Sequence, residues 1–468
     1  MAAAHDVPLA PGLLDAVPED AVDICRRLAD RGKRGWIVGG CVRDLLRGAA
    51  AKDWDVATDA HPKEVQRFFR RVIPTGIKHG TVTVLRGGEP YEVTTLRGEG
   101  AYHDGRRPAE VEFIQDIVED LARRDFTFNA MAIDPLSRRL IDPFDGQRDL
   151  EARVLRAVGE PAARFAEDGL RVLRAARFAA TLECTIEPAT LKAMGARRCL
   201  DTLAKVSAER IRDEWLKTMQ APKPSTGFQA MQTCGALEVI CPELTEAVGC
   251  EQNRWHSLDV WNHTLAVVDA CPPDPILRMA ALLHDVGKPR TRRRSNKTKD
   301  YTFYNHELVG ADLADPILRR LKLSNEDRQR AVHIIRHHLL CYSPDWTDAA
   351  VRRWVRRVTP ERMADLLAMG RADALGKGRP CEADLASIDQ LEQRVAAVLA
   401  AGAALGPRDL AVNGTVLMAE LALEPGPIVG ELMRELVEMV TDDPATNEPE
   451  QLLAAARTML ANKRGGRS

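Results

Sequence analysis

The sequence predicts a multidomain α+β protein, with a mixed-sheet domain first and helical domains after it, and three observations carry that expectation. The chain has 468 residues, about three times a typical domain of roughly 150 residues. Alternating and β-branched runs bounded by turn residues crowd into roughly residues 25–150. From about 160 onward Leu, Ala and Arg recur at spacings of three and four almost to the end.

Taken in order, the apolar run 36–38 breaks at Gly39-Gly40 and resumes as a helical pattern over 41–46, which reads as strand, glycine turn, helix. Runs at 54–58, 81–85, 91–95 and 111–114 read as further strands, with one helix near 62–71. Breaks at Pro222 and Pro224, Pro272-Pro273, 376–380 and Gly406-Pro407 divide the helical part. The resulting division is 25–155, 156–220, 221–380 and 381–468.

A composition of 45% hydrophobic and 29% charged residues is that of a globular chain, and no run of 18 apolar residues could span a bilayer. The N-terminus lacks the basic segment and apolar core of a signal peptide, so a cytoplasmic protein with no membrane association is expected. Ten scattered cysteines without a C-x-x-C pair read as small buried hydrophobes in a reducing compartment. Cationic residues concentrate in 286–380, densest at Arg290, Arg292, Arg293, Arg294, Lys297 and Lys299 and again at Arg352, Arg353, Arg356 and Arg357, whereas 381–468 is acidic. Either basic patch is a solvated surface or a phosphate-binding one.

The first chemistry lies in Gly39-Gly40-Cys41-Val42-Arg43-Asp44 followed by Asp53-Trp54-Asp55. Two residues apart on a strand, Asp53 and Asp55 face the same way and can share a divalent cation. Mg²⁺ held by carboxylates would lower the pKa of an attacking hydroxyl and neutralise leaving pyrophosphate. Gly39 and Gly40 let backbone N–H groups approach a triphosphate, and Arg43 is a fork donor for it. Glu92, in the run 91–95, is the candidate third carboxylate, or equally a plain surface glutamate.

This combination resembles the nucleotidyltransferases of DNA polymerase β type, and within them the class II CCA-adding enzymes and poly(A) polymerases of bacteria. The resemblance runs on through Arg123-Arg124-Asp125-Phe126-Thr127-Phe128-Asn129-Ala130-Met131, Asp145-Gly146, Asp149-Leu150 and Glu167-Asp168-Gly169-Leu170-Arg171-Val172-Leu173-Arg174, covering residues 36–178. It implies a polymerase-β-like head at 25–155, an all-α neck at 156–220, a helical body with an HD domain at 221–380, and a helical tail at 381–468. It also implies that Asp125 contacts the ribose hydroxyl, and that Arg123, Asn129 and Arg174 help bind the nucleotide. On the residues alone, Arg123, Arg124 and Asp125 could form an internal ion-pair cluster.

Asp168 and Arg171 are three apart in a helical pattern and so share a face. Cytosine and adenine each offer an exocyclic amine beside a ring-nitrogen acceptor, which a carboxylate and a guanidinium match; guanine and uracil oppose a carbonyl to the carboxylate. The alternative is an ordinary helix salt bridge. The stretch 97–108, with Glu99, Tyr102, Asp104 and Arg106, resembles the loop that related enzymes use in switching from C to A.

In the helical half, His263, His284-Asp285, His306, His337 or His338, and Asp373 resemble the ordered set of the HD phosphohydrolases. Imidazoles and carboxylates suit a divalent metal whose identity the sequence does not give, and the extra histidines leave room for a second ion. His337 and His338 cannot both face one site from a regular helix, and His338 is favoured. Phosphatase and cyclic-phosphodiesterase action on RNA ends is what this second resemblance implies.

The expected substrates are tRNA lacking its 3′ CCA, CTP and ATP, with no obligate protein partner deduced. The segment 74–82 resembles the CCA-adding group, and 409–450 resembles the tRNA-contacting tail of some members. A poly(A) polymerase and an enzyme adding only A or only C are the near alternatives. An HD phosphohydrolase with an RNA-binding head, or an RNA-binding scaffold, would need one or both residue sets to be idle.

Overall fold

The computed structural model describes residues 5–77, 80–98, 112–401 and 406–465. The chain forms two compact units, Met1–Glu246 with Arg320–Leu323, and Ala247–Arg319 with Ser324–Ser468.

The first unit holds an eight-stranded sheet of β1 (His5–Pro8), β2 (Gly35–Val38), β3 (Asp55–Thr58), β4 (Val72–Gly76), β5 (Thr81–Arg86), β6 (Glu89–Thr95), β7 (Ala132–Asp134) and β8 (Arg139–Asp142), in the order β1-β8-β7-β2-β3-β6-β5-β4. Only β3 and β6 run parallel, and their register sets Asp55 beside Glu92. Trp36, Val38 and Ala57 bury one face of the sheet against Ile117 and Leu121 of the helix Ile117–Ala122. The expected strand over 111–114 is reduced to a single bridge between Phe113 and Arg97 among the described residues. Its run stops because Asp116 caps the following helix, its carboxylate accepting from the Val118 amide at 2.9 Å. The helix expected near 62–71 ends at Phe68, since Phe69 is extended.

Helices complete the first unit, among them Leu170–Thr181 packed on Ala208–Met219 and Pro224–Thr233. Phe178 of the first meets Phe126 and Phe128 with ring centroids 5.7 and 5.6 Å apart, edge to face, contacts worth about 0.5–1.5 kcal/mol each beyond burial. This cluster joins the sheet domain to the helices that follow.

Among its described residues the second unit is helical, except for a two-stranded hairpin, Arg293–Arg294 with Tyr301–Thr302, where the sequence pattern shows only a basic block. The other basic patch is not a free surface. Arg352 donates to the Thr441 and Asp442 carbonyls at 2.6 and 2.9 Å, while Arg353 pairs with Asp442 and Arg356 with Glu438. These cations complete the C-terminal end of the helix Pro427–Asp442, where orphaned carbonyls attract positive charge. That helix packs with Gly414–Leu421 and Pro449–Gly465 around Leu417, Leu436 and Leu452. Eight of the ten cysteines are buried, as small hydrophobes in a core are. Among the described residues no helix is long and apolar enough to cross a membrane.

Candidate active site and metal centre

In the first unit, a cavity of 440 Å³ brings together Gly39, Asp55, Asp125, Asn129, Asp168 and Arg171. Its floor is the β2 end, where Gly39 has φ +90°, a conformation that favours glycine. A Cβ there would also lie 3.3 Å from the Asp55 carboxylate.

Asp55 opens β3, whereas Asp53 lies in the exposed segment before it, so the two are not on one strand as their spacing suggests. The sheet supplies the missing neighbour by placing Glu92 in register with Asp55 on the parallel strand. Burial, then the charges of Glu92 and Asp53, push the Asp55 carboxyl up to about 6 against the opposing pull of Arg124. Only Asp55 of the three lines the cavity, and among the described residues the three carboxylates are not gathered at ligand spacing, so a divalent cation would have to draw Asp53 and Glu92 inward.

The sign of the linkage is definite. The native state holds the Asp55 proton more tightly than the unfolded chain, so without a cation stability falls as pH rises from about 4 to 6. Asp55→Asn is therefore expected to raise the Tm of the metal-free protein at pH 7.5 and to give no gain below pH 4. Calorimetry in chelator across that range checks it; an unchanged Tm at both pH values would mean the carboxylates do not repel.

Arg43, Asp125, Asn129 and Arg174 form one network. Arg43 grips Asp44 through two bonds of 2.9 Å and donates to the Asn129 oxygen at 2.8 Å, while the Asn129 amide donates to Asp125 at 3.1 Å. Arg174 donates to the other Asp125 oxygen at 2.7 Å. Burial acts to raise the Asp125 pKa, but Arg174 and Asn129 outweigh it and keep the carboxylate ionised. Arg123 spends its fork on Asp120 at 2.9–3.0 Å, and its carbonyl accepts from Arg171 at 3.0 Å.

Asp168 is not helical: it is extended (φ −142°), in the break between Pro161–Glu167 and Leu170–Thr181. The i,i+3 reading on one helix face is thus corrected, because the chain leaves the helix at Asp168 itself, while Gly169 keeps helical dihedrals (φ −58°, ψ −23°). A Cβ on Gly169 would sit 2.3 Å from the Leu203 amide nitrogen, so only glycine admits this main-chain approach. In the break, Asp168 accepts from the Leu170 amide at 3.0 Å and from Arg210 at 2.7 Å. Arg171 is oriented by Glu167 at 2.6 Å and the Arg164 carbonyl at 2.8 Å. Both still line the cavity. Sequence reasoning gave no role to Arg124 or Arg210: the first lay inside a quoted motif, the second carried no local signal.

In the second unit two ligand-like groups meet, His263, His284 and Asp373 in one, and Asp285, His306 and His338 in the other. His263 Nε2 lies 3.1 Å from Asp373 and 3.3 Å from His284 Nε2; His306 Nε2 lies 3.3 Å from His338 Nε2 and 3.4 Å from Asp285. Of the adjacent histidines, His338 faces the cluster and His337 packs on His333.

Each of the four imidazoles turns Nδ1 to a backbone carbonyl, of Gly376, Ala281, Phe303 and Ile335 respectively, at 2.7–3.0 Å. A carbonyl only accepts, so Nδ1 carries a proton and Nε2 faces inward; burial opposes protonation of His263, but its bonds to Asp285 and Asp373 push it up to about 9, so a cation there would take the place of an Nε2 proton. Inward-facing imidazole nitrogens around a buried Asp285, whose carboxylate pairs with the Lys288 ammonium at 2.7 Å, fit bound cations. Burial opposes ionisation of Asp285, but the charges of His284 and Lys288 hold it well below the usual carboxylate range. Burial, then His284 and His306, push His338 down to about 3, the neutral form that ligation requires. His256, not singled out in the sequence, meets His263 edge to face with ring centroids 4.9 Å apart.

Comparison with known proteins gives the class first: residues 35–156 match the model of the "Poly A polymerase head domain", 184–248 that of the "Probable RNA and SrmB- binding site of polymerase A", and 255–374 that of the "HD domain". The chain is a nucleotidyltransferase with an HD domain. It is 34% identical over 93% of its length to a CCA-adding enzyme of Streptococcus gordonii, of which 96% is covered. It is 37% identical over 86% of its length to an A-adding tRNA nucleotidyltransferase of Deinococcus radiodurans, with 90% of that protein covered. The structure of the Bacillus stearothermophilus CCA-adding enzyme in complex with CTP superposes with a TM-score of 0.71 at 27% identity, covering 98% of this chain and all of that one. The chain belongs to the family of CCA-adding tRNA nucleotidyltransferases and poly(A) polymerases.

Proposed function

We propose that the protein adds C, C and A to the 3′ end of tRNA from CTP and ATP, releasing pyrophosphate. The observation that carries this reading is the placement of Asp168 and Arg171 in the cavity that also holds Asp55, so that a base can be read beside the carboxylates. Asp53, Asp55 and Glu92 would hold Mg²⁺, which would acidify the attacking hydroxyl and neutralise the pyrophosphate. Arg43 and Asn129 steady the nucleotide, and Asp125, fixed by Arg174, meets its ribose. The domains would divide as head 25–155, neck 156–220, HD-containing body 221–380 and tail 381–468, the tail contacting tRNA. The C-to-A loop proposed at 97–108 lies largely outside the described residues.

The test is purified protein with tRNA ending before CCA, labelled CTP or ATP, and product length read on a gel. The Deinococcus relative favours one second reading, an A-adding enzyme, which would extend only tRNA already ending in CC. Asp168→Ala removes the acceptor for the amine of C and A and the charge that rejects U and G. Discrimination is expected to fall by roughly one to two powers of ten, the value of about 1–3 kcal/mol per mismatched contact. Single-turnover incorporation of all four nucleotides measures it; a slower variant with full preference would place base reading elsewhere.

The HD domain is proposed as a metal-dependent phosphohydrolase. His263, His284, Asp285, His306, His338 and Asp373 would hold one or two divalent cations, whose charge would activate water and steady the attacking and leaving oxygens. In that hydrolysis the water oxygen bonds to phosphorus, the ester P–O bond breaks and the alcohol leaves with a proton.

A further inference from the structure

Six arginines line the cavity of the first unit: Arg43, Arg123, Arg124, Arg171, Arg174 and Arg210. The first five each give at least two guanidinium nitrogens to protein partners. Arg210 gives one. Its Nη2 donates to Asp168 Oδ2 at 2.7 Å, and among the described residues its Nε and Nη1 have no hydrogen-bond partner. The side chain is 33% exposed, so most of its five N–H donors remain unspent at a cavity wall. An arginine kept only to brace Asp168 would not need that surplus.

Its placement is firm as well as open. Arg210 lies in the helix Ala208–Met219, which packs on the helix Leu170–Thr181 that carries Arg171. One turn further on, buried Glu214 accepts from Arg177 of that second helix at 2.6 Å and locks the pair. Arg171 is held by Glu167 and by the Arg164 and Arg123 carbonyls, with no bond to Asp168. The cavity thus offers a base three groups on fixed supports: a donor at Arg210, an acceptor at the adjoining Asp168, and a donor at Arg171.

Adenine is the complement of that pattern, for its N7, exocyclic amine and N1 run acceptor, donor, acceptor along one edge. Cytosine has the amine and a ring-nitrogen acceptor but carries C5–H on the side where adenine has N7. Guanine keeps N7 but turns O6 to the carboxylate and N1–H to a guanidinium, so it fails at the other two groups.

We propose that Arg210 is a specificity-determining residue that donates to N7 of an incoming adenine, a hydrogen bond that cytosine cannot accept. The inference rests on the reading of Asp168 and Arg171 as the base-recognising pair and deepens it. Those two admit C and A alike, and Arg210 adds a contact that favours A.

The experiment is single-turnover incorporation by the full chain onto tRNA ending in CC, comparing ATP with 7-deaza-ATP and 1-deaza-ATP, in which N7 or N1 is replaced by C–H. The unaltered protein is expected to use 7-deaza-ATP roughly ten- to a hundredfold less efficiently than ATP, the value of a hydrogen bond to a charged donor. Arg210→Met should close that gap while leaving the penalty on 1-deaza-ATP. The variant should also slow every nucleotide, because Asp168 loses its partner, but the ratio of ATP to 7-deaza-ATP cancels that common loss. Equal use of ATP and 7-deaza-ATP by the unaltered protein would overturn the proposal, whether or not the variant folds. A gap that survives Arg210→Met would assign N7 to another group and overturn it too. Indifference to 1-deaza-ATP with the N7 dependence intact would instead sink the reading of Arg171 and leave Arg210 in place.

Discussion

Replacing Asp55 by alanine is expected to lower single-turnover incorporation of CMP by at least about a thousandfold, the upper range for losing one preorganised electrostatic element of a transition state. Asp55 is the carboxylate that the fold surrounds with Glu92, Asp53 and the Gly39 turn, and the one whose proton affinity they raise. Binding of CTP should survive, since Arg43, Asn129 and Asp125 hold one another without Asp55. Rapid-quench incorporation alongside equilibrium binding separates the two. Loss of binding in step with rate would assign Asp55 to nucleotide capture, and undiminished incorporation would remove it from the site.

The second large effect belongs to Asp285, whose two oxygens face the two histidine groups, His284 at 3.1 Å on one side and His306 at 3.4 Å on the other. Asp285→Ala should cut the metal content by at least one ion per chain. It should also weaken retention of the remainder more than about a hundredfold, beyond what the loss of an outer-shell partner costs. Phosphate release from RNA ends should vanish while CMP addition continues. Metal analysis after dialysis, with both activities measured on the same sample, decides it. Unchanged stoichiometry would show that the histidines suffice.

Much of both sites was legible because the chemistry sits in short motifs. Asp55, Arg43, Asp125, Asn129, His284 and Asp285 were all found from local runs, and the structure brings each group together. What local spacing could not give is what depends on chain geometry. The spacing of Asp53 and Asp55 suggests one strand, yet the strand begins at Asp55 and the sheet supplies Glu92 from a parallel neighbour. Asp168 and Arg171 read as one helix face because a lone glycine inside a helical pattern is usually tolerated; here the chain leaves the helix one residue earlier, at Asp168. Arg210 lies 42 positions from its partner Asp168, and its role is purely tertiary. The two basic patches look alike in sequence, but one caps a helix and the other stands open on a hairpin. Net charge cannot tell a satisfied cation from an unsatisfied one.

The main-chain contact at Gly169 has a consequence for how such an enzyme can change over evolution. The glycine lets residue 169 sit against the Leu203 main chain, while the turn out of the helix is made at Asp168, whose carboxylate also accepts from the Leu170 amide. A change at 168 therefore gives up the bonds to the Leu170 amide and Arg210 along with whatever the carboxylate offers the cavity. Position 169 is the more constrained of the two, since any residue larger than glycine there would demand rebuilding the neighbouring helix.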